Sequence, residues 1–202
     1  MTVDRGRPDV RLVPLDQATP ETTALREALL DHDLPPEQLR FTGLPAQTLP
    51  EADDDPARLP YAIVVGEEAI VEEQQARARC AGFGVLDGNA YGHLVDAPER
   101  AVLLRAYYVT PQWQGRGVGR ASCAPPLLDR LASTAAPHAE EIVLCVNRAN
   151  LSAQRVYTAA GFAFTGTTVP GDAGPQHVMT RPLGIRTHLA PRPRHRRTEI
   201  PQ

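Results

Sequence analysis

The stretch that decides the fold reads AVLLRAYYVTPQWQGRGVGR and occupies residues 101–120. Its first part, 101–109, is apolar on both faces and ends at a Thr-Pro pair, which is typical of a central strand covered on both sides. The run QGRGVGR at 114–120 then leads into a helix. Glycines without a Cβ let backbone N–H groups approach a ligand closely, so the turn predicts an anion site. The same turn is also typical of a plain tight connection, and it matches neither a P-loop nor a dinucleotide fingerprint.

A second informative stretch, NLSAQRVYTAAGF, lies at residues 150–162. It predicts a helix that ends at Gly161, the residue type that favours a helix C-terminus. Asn150, Ala153 and Tyr157 are three and four residues apart and therefore share one helix face, which suits a wall against a polar, extended ligand. Taken alone, these residues are also explained by an N-cap and a half-buried aromatic ring.

Together, the two stretches resemble the GNAT superfamily of acyl-CoA-dependent N-acetyltransferases. The pyrophosphate motif of that family, Gln/Arg-x-x-Gly-x-Gly/Ala, is matched at 114, 117 and 119. Its second signature, Asn-x-x-Ala-x-x-x-Tyr-x-x-x-Gly-Phe, is matched from 150 to 162. The resemblance covers about residues 100–165 in its motifs and 10–183 in its element order, and it does not reach the tail. It implies acetyl-CoA as cosubstrate, no metal, and direct attack of a neutral amine on the thioester.

The resemblance also implies roles for individual residues. Tyr157 would be the catalytic general acid for the leaving thiolate. The end of the central strand would pair with the pantetheine arm through its backbone, the Gly-rich loop would hold the pyrophosphate, and Asn150 would bind the pantetheine. Arg116 and Arg120 can add charge-assisted contacts to phosphate. The residues expected to bind the cosubstrate are Tyr107, Tyr108, Val109, Gln114, Gly115, Arg116, Gly117, Val118, Gly119, Arg120 and Asn150.

The proton acceptor is not evident from the motifs. A primary amine is mostly protonated at neutral pH, so a base or a water chain is needed. Many family members carry a carboxylate on the central strand, but residues 101–109 contain none, and Arg105 stands there instead. The candidates are Tyr107 or Tyr108 through water, His93 and Glu99, with His177 as a residue that could face the acceptor. Cys145 lies in an apolar run without a positive neighbour, which predicts a core residue and not a nucleophile.

The remaining pattern predicts an α/β fold: a single GNAT-like domain over 1–183. We expect a mixed, mostly antiparallel twisted sheet of about six or seven strands, flanked by helices and splayed at the CoA-binding strand. Four prolines and an acidic cluster predict a loop over 43–60, and 66–79 is either a short helical excursion or a mobile arm. Pro125 and Pro126 should interrupt a helix over 117–133. The basic, Pro/Arg-rich tail 184–202 is expected to be disordered.

Charge and composition narrow the function. The 202 residues carry a net charge of −3, and all 21 basic residues are arginine; the tail contributes +4, which leaves −7 for residues 1–183. The negative net charge of residues 1–183 argues against nucleic acid as a partner. No apolar stretch is long enough to span a membrane. Three widely spaced cysteines indicate neither a disulfide framework nor a metal site and are typical of a reduced cytoplasm. We therefore expect a cytoplasmic protein, and we also expect a bacterial source.

The predicted activity is N-acetylation of a primary amine on a small, cationic acceptor. The alternatives are a CoA-binding regulatory protein without turnover and an acetyltransferase of a polypeptide amine. A third hypothesis is a nucleic-acid contact through the arginine tail. The resemblance also implies a homodimer, since dimers are common in the family.

Overall fold

A seven-stranded sheet runs through the computed structural model, which describes residues 8–89 and 91–184. The strands are β1 (Val10–Pro14), β2 (Arg58–Val65), β3 (Cys80–Asp87), β4 (Ala101–Val109), β5 (Glu141–Asn147), β6 (Ala163–Val169) and β7 (Gln176–Pro182). Their order is β1-β2-β3-β4-β5-β7-β6, and every neighbouring pair is antiparallel except β4 and β5. The prediction of a mixed, mostly antiparallel sheet is confirmed.

Helices cover both faces of the sheet. They are α1 (Pro20–Leu30), α2 (Pro36–Leu39), α3 (Pro45–Asp53), α4 (Glu73–Arg79), α5 (Val118–Cys123), α6 (Leu127–Ala135) and α7 (Leu151–Ala159). The start of α1 is set by its sequence, because Thr19 and Thr22 form a reciprocal capping box and Pro20 occupies the first turn. No helix in the described residues has the length and apolar character that crossing a membrane requires.

The two largest hydrophobic cores of the described residues lie on opposite faces of the sheet. One packs Val102 and Leu104 of β4 against α5, α6 and α7. The other packs Phe83 of β3 and Tyr108 of β4 against the buried leucines of α1, Leu25 and Leu29. The central strand β4 is therefore covered on both sides, as its doubly apolar sequence predicts.

The sheet opens at the centre. β4 pairs with β5 only over 101–104, whereas the second half of β5 continues to pair with β7. In the same region β4 carries an irregularity in its pairing with β3, and Ala106 has a left-handed φ of +49°. A bulge of this kind bends the strand and ends its regular pairing. The expected splaying at β4 is confirmed.

The loop predicted over 43–60 is wrong, because the segment forms α3 and the start of β2. Pro45 lies in the first turn of α3, where a missing N–H removes no hydrogen bond, and Pro50 is tolerated further along. Leu49 and Ala52 are buried against the α1 side of the sheet. The helix therefore forms through tertiary burial that the proline count concealed.

Three further expectations concern segments outside the sheet. Of the two alternatives for 66–79, the helical one is right for 73–79, which form α4 and bury Ala76. The helix over 117–133 is interrupted as expected, since α5 ends at Cys123 and α6 begins at Leu127. The tail expected to be disordered lies outside the described residues except for Gly184, whose N–H donates to the Asp129 carboxylate at 2.9 Å.

Candidate active site

The divergence of β4 and β5 opens a cleft of about 700 Å³. Its walls are the carboxyl ends of both strands, the Gly-rich loop and α7, with α2 and the adjoining loop on the opposite side. Ten of the twelve residues predicted to bind or act on the cosubstrate line this cleft. They are Tyr107, Tyr108, Val109, Gln114, Gly115, Gly117, Gly119, Arg120, Asn150 and Tyr157. The exceptions are Arg116 and Val118.

The two exceptions have other contacts. The Arg116 guanidinium lies 5.1 Å from the centre of the Trp113 ring, a cation–π contact at the surface. The Val118 side chain is fully buried in the core under α5. Arg155 of α7 also lines the cleft and was not predicted, since a single arginine within a helix carries no distinctive signal.

The Gly-rich loop presents unpaired backbone donors. Gly115 and Gly117 have left-handed φ values of +71° and +82°, which only glycine adopts without strain. Within residues 8–89 and 91–184, the backbone N–H groups of 115–120 have no hydrogen-bond partner, whereas the Ala121 N–H donates to Gly117 O. Such a loop can bind an anion without any basic side chain.

The Gln114 side chain joins three parts of the cleft. Its Nε2 donates to the Val109 carbonyl at 2.7 Å and to Gln38 Oε1 of α2 at 2.9 Å. The Gly-rich loop, the end of β4 and α2 are therefore connected through one amide group. Because the Val109 carbonyl already accepts this bond, an incoming pantetheine would use its second lone pair or displace Gln114.

Tyr157 and Tyr107 face each other across the α7 side of the cleft, with ring centres 5.9 Å apart. Burial raises the pKa of both phenols, so both keep their protons at neutral pH. The Tyr107 hydroxyl is 2.7 Å from Ser122 Oγ and donates to Gly119 O at 3.1 Å. Among the described residues, the Tyr157 hydroxyl has no hydrogen-bond partner. It is therefore the free donor on this wall.

Asn150 performs the structural role that its position suggests. Its side-chain oxygen accepts the Ala153 N–H at 3.1 Å, which makes it the N-cap of α7. The side chain also lines the cleft, and its amide group remains available to a ligand.

The residues considered as proton acceptors are dispersed. His93 stacks on Tyr91 in the β3–β4 loop, and Glu99 lies in a short 3-10 turn before β4; neither lines the cleft. His177 packs edge-on against the Phe164 ring at 5.3 Å, and it is the neighbouring Gln176 that lines the cleft. Tyr107 has its hydroxyl engaged by α5. Of the candidates, only Tyr108 lines the cleft on the side of α1 and α2.

Two further residues differ from expectation. Cys145 is half-buried and lines the cleft, so it is not a plain core residue, although burial raises the pKa of its thiol and disfavours a nucleophilic role. Arg105 does not face an anionic ligand, because it shares the buried Asp87 carboxylate with Arg58 at 3.2 and 3.1 Å. No group of three or more potential metal ligands occurs within the described ranges.

His32 was missed by sequence reasoning. Its Nδ1 lies 2.9 Å from the Tyr108 hydroxyl. No motif surrounds it in the sequence, and the two residues are 76 positions apart. Only the packing of α1 against the sheet brings them together.

Solved structures of other proteins share this fold. The aminoglycoside acetyltransferase AAC(6')-Ib in complex with coenzyme A and kanamycin is 20% identical with a TM-score of 0.58, over 86% of this chain and 95% of that chain. A spermidine N-acetyltransferase chimera from Vibrio cholerae and hSSAT is 18% identical with a TM-score of 0.50, over 85% of this chain and 94% of that chain. At these identities the likeness shows the fold. No curated protein matches the chain.

A family model gives the more direct assignment. The model described as the acetyltransferase (GNAT) family matches residues 29–162, which include the Gly-rich loop, Tyr157 and the cleft between β4 and β5. The protein is an acyl-CoA N-acyltransferase by this match, and the chain belongs to the GNAT acetyltransferase family.

Proposed function

We propose that the protein transfers the acetyl group of acetyl-CoA to the primary amine of a small acceptor. The observation that carries this proposal is the cleft at the parting of β4 and β5, which places unpaired backbone donors at one end and the free Tyr157 hydroxyl on its wall. A diphosphate, an extended thioester arm and an amine have one continuous path through such a cleft.

The Gly-rich loop would bind the pyrophosphate. Its backbone donors supply most of the contacts, and Arg120, which lines the cleft, adds charge. Arg116 stands over Trp113 and would contribute only after leaving that ring. The pantetheine would lie along the exposed end of β4, near Tyr107 to Val109, with Asn150 contacting it from α7.

The reaction would proceed by direct displacement. The neutral amine nitrogen attacks the thioester carbonyl carbon and gives a zwitterionic tetrahedral intermediate. Its positively charged nitrogen loses one proton to solvent, and the C–S bond breaks to give the neutral amide and the CoA thiolate. Tyr157 donates its hydroxyl proton to that thiolate. Because burial raises the pKa of Tyr157, the phenol is in its donor form throughout the neutral range. The tyrosinate then recovers a proton from solvent as product leaves.

The charges of the cleft favour a small acceptor with few positive charges. Although residues 1–183 carry a net charge of −7, Glu37 of α2 is the single carboxylate among the described residues that line the cleft. Arg40 lies one turn along and faces the Phe41 ring at 4.4 Å. One carboxylate can bind one cationic group, whereas a polyamine or an aminoglycoside with many ammonium groups would find little compensation.

The test is CoA release from acetyl-CoA with a panel of amines. The panel should contain monoamines, diamines, polyamines, aminoglycosides and a peptide with a free N-terminus. Turnover with small mono- or diamines, and a raised KM for diamines in Glu37→Gln without a change for monoamines, is the expected result. CoA binding by calorimetry without release from any amine would instead support a regulatory protein, and turnover with the peptide alone would support a polypeptide acceptor. The cytoplasmic location and the homodimer remain predictions.

A further inference from the structure

His32 and Tyr108 form a side-chain pair that the proposed reaction does not yet use. The hydroxyl of Tyr108 is 2.9 Å from His32 Nδ1, and the two rings meet edge to face with centres 5.8 Å apart. Tyr108 lines the cleft, whereas His32 follows α1 and lies behind it. A proton that reaches the tyrosine oxygen from the cleft therefore has a direct route to an imidazole.

The surroundings of the pair set its protonation. Burial lowers the pKa of His32, an effect that the Cys80 backbone and the Asp31 carboxylate partly oppose. Asp31 is itself bound by Arg77 Nε at 2.7 Å, which reduces its pull on the imidazole. Among the described residues, the titratable groups that act on the pair are Asp31 and the Cys80 thiol. Arg77 binds Asp31 and also pairs with Glu73. The ring is therefore neutral at neutral pH.

The Tyr108 hydroxyl is placed to donate its proton to the imidazole. Burial raises the pKa of Tyr108, so its oxygen carries a proton. In the tautomer that carries its proton at Nε2, the neutral His32 ring accepts the Tyr108 O–H at Nδ1. An imidazole held in this tautomer is ready to receive a proton at Nδ1.

We propose that Tyr108 and His32 together accept the proton that the acceptor's ammonium group must lose before it attacks acetyl-CoA. The Tyr108 oxygen takes a proton from the ammonium nitrogen, directly or through one water, while its own hydroxyl proton moves to His32 Nδ1. The products of this step are a neutral amine, an intact phenol and an imidazolium. Tyr108 is the catalytic residue, and His32 acts through it. The inference rests on the proposed function.

The pair of Tyr108 and His32 lies on the other side of the sheet from the proposed acid, Tyr157. Tyr107 and Tyr157 belong to the core under α5 and α7, and Tyr108 belongs to the core under α1. The acid that protonates the thiolate and the group that deprotonates the amine therefore belong to opposite faces of the sheet. α2, which carries Glu37, lies on the same side as Tyr108.

The test is the pH dependence of kcat/KM for the best amine, in wild type, His32→Gln and Tyr108→Phe. An enzyme that deprotonates a bound ammonium has a flat profile over the neutral range up to the pKa of the amine. Because burial lowers the pKa of His32, it loses activity only at acidic pH, where His32 becomes protonated. The variants must use the free amine, so their kcat/KM should rise about tenfold per pH unit. At pH 7 the loss for an amine of pKa about 10 reaches roughly 10³-fold.

His138→Gln is the matched control, because His138 is an exposed histidine that does not line the cleft. It should keep the flat profile, and the double variant of His32 and Tyr108 should be no slower than either single one. A purely structural role would lower the rate at every pH and leave the slope unchanged. Wild-type turnover with a flat profile in His32→Gln overturns this inference alone, whereas no wild-type turnover with any amine overturns the proposed function on which it rests.

Discussion

Tyr157 and Tyr107 offer a paired test of the active site, because removal of the Tyr157 hydroxyl should lower kcat and removal of the Tyr107 hydroxyl should lower stability. The rings lie 5.9 Å apart on one wall of the cleft. The Tyr107 hydroxyl is bound to Ser122 and to Gly119 O of α5, while that of Tyr157 has no partner among the described residues. Tyr157→Phe therefore removes a group available for chemistry, and Tyr107→Phe removes a structural contact.

The magnitudes follow from these contacts. Loss of a general acid lowers the rate by about 10²–10⁴-fold, or about 2.7–5.4 kcal/mol of transition-state stabilisation. Loss of an unpaired hydroxyl should change the free energy of unfolding by less than about 0.5 kcal/mol. For Tyr107→Phe, a buried hydrogen bond contributes about 0.5–1.5 kcal/mol, which corresponds to a fall of roughly 1–6 °C in Tm for a chain of this size.

The assay compares steady-state kcat, the Kd for CoA by calorimetry, and Tm for both variants. Tyr157→Phe should lose at least about 100-fold in kcat with Tm and the Kd for CoA unchanged. Tyr107→Phe should lower Tm and weaken CoA binding a few-fold, because Gly119 and α5 lose an anchor, and it should keep most of kcat. A Tyr157→Phe enzyme within threefold of wild type would refute the role of Tyr157 as the acid.

Other changes test the packing around the cleft. In Gly82→Ala the new Cβ would lie 2.2 Å from a backbone oxygen of β4. We therefore expect a loss of about 1–3 kcal/mol in the free energy of unfolding and weaker CoA binding. Gly92→Ala is the control, because its nearest contact is at 3.8 Å and Tm should be unchanged. Arg181→Met breaks a buried ion pair with Asp129 at 2.6 Å and should lower the free energy of unfolding by about 3–5 kcal/mol in urea titrations; replacing both partners with apolar residues should recover most of it. Alkylation of the native protein, read by mass spectrometry, should label Cys145 first, because burial raises the pKa of the Cys80 and Cys123 thiols to about 12. Bound CoA should protect Cys145, which lines the cleft. Equal labelling of all three cysteines would contradict its place in the cleft.

The central strand, the Gly-rich loop and α7 could be predicted from sequence because their signals are local. The apolar run at 101–109 forms β4 with the same bounds, and the spacing of Asn150, Ala153 and Tyr157 places all three on the cleft wall. In each case the pattern depends only on strand or helix periodicity. The chain therefore carries its cosubstrate site in two short segments.

The acceptor side could not be predicted in the same way. α3 was expected to be a loop, since its prolines are compatible with a helix only when Leu49 and Ala52 find a core. The pair of His32 and Tyr108 forms across 76 residues, and no periodicity links its members. Contacts between distant segments are set by the packing of whole elements, and local patterns do not encode them.

The different roles of Tyr107 and Tyr108 follow from one extra residue in β4. In a regular strand, side chains alternate, so Leu104 and Tyr107, three positions apart, would lie on opposite faces. They pack in the same core here, because two residues of β4, Ala106 and Tyr107, oppose the single residue Gly84 of β3. The bulge that opens the sheet therefore also turns Tyr107 towards α5 and Tyr108 towards α1. Without it the two phenols would exchange sides, and the group next to His32 would be the one that now anchors the Gly-rich loop.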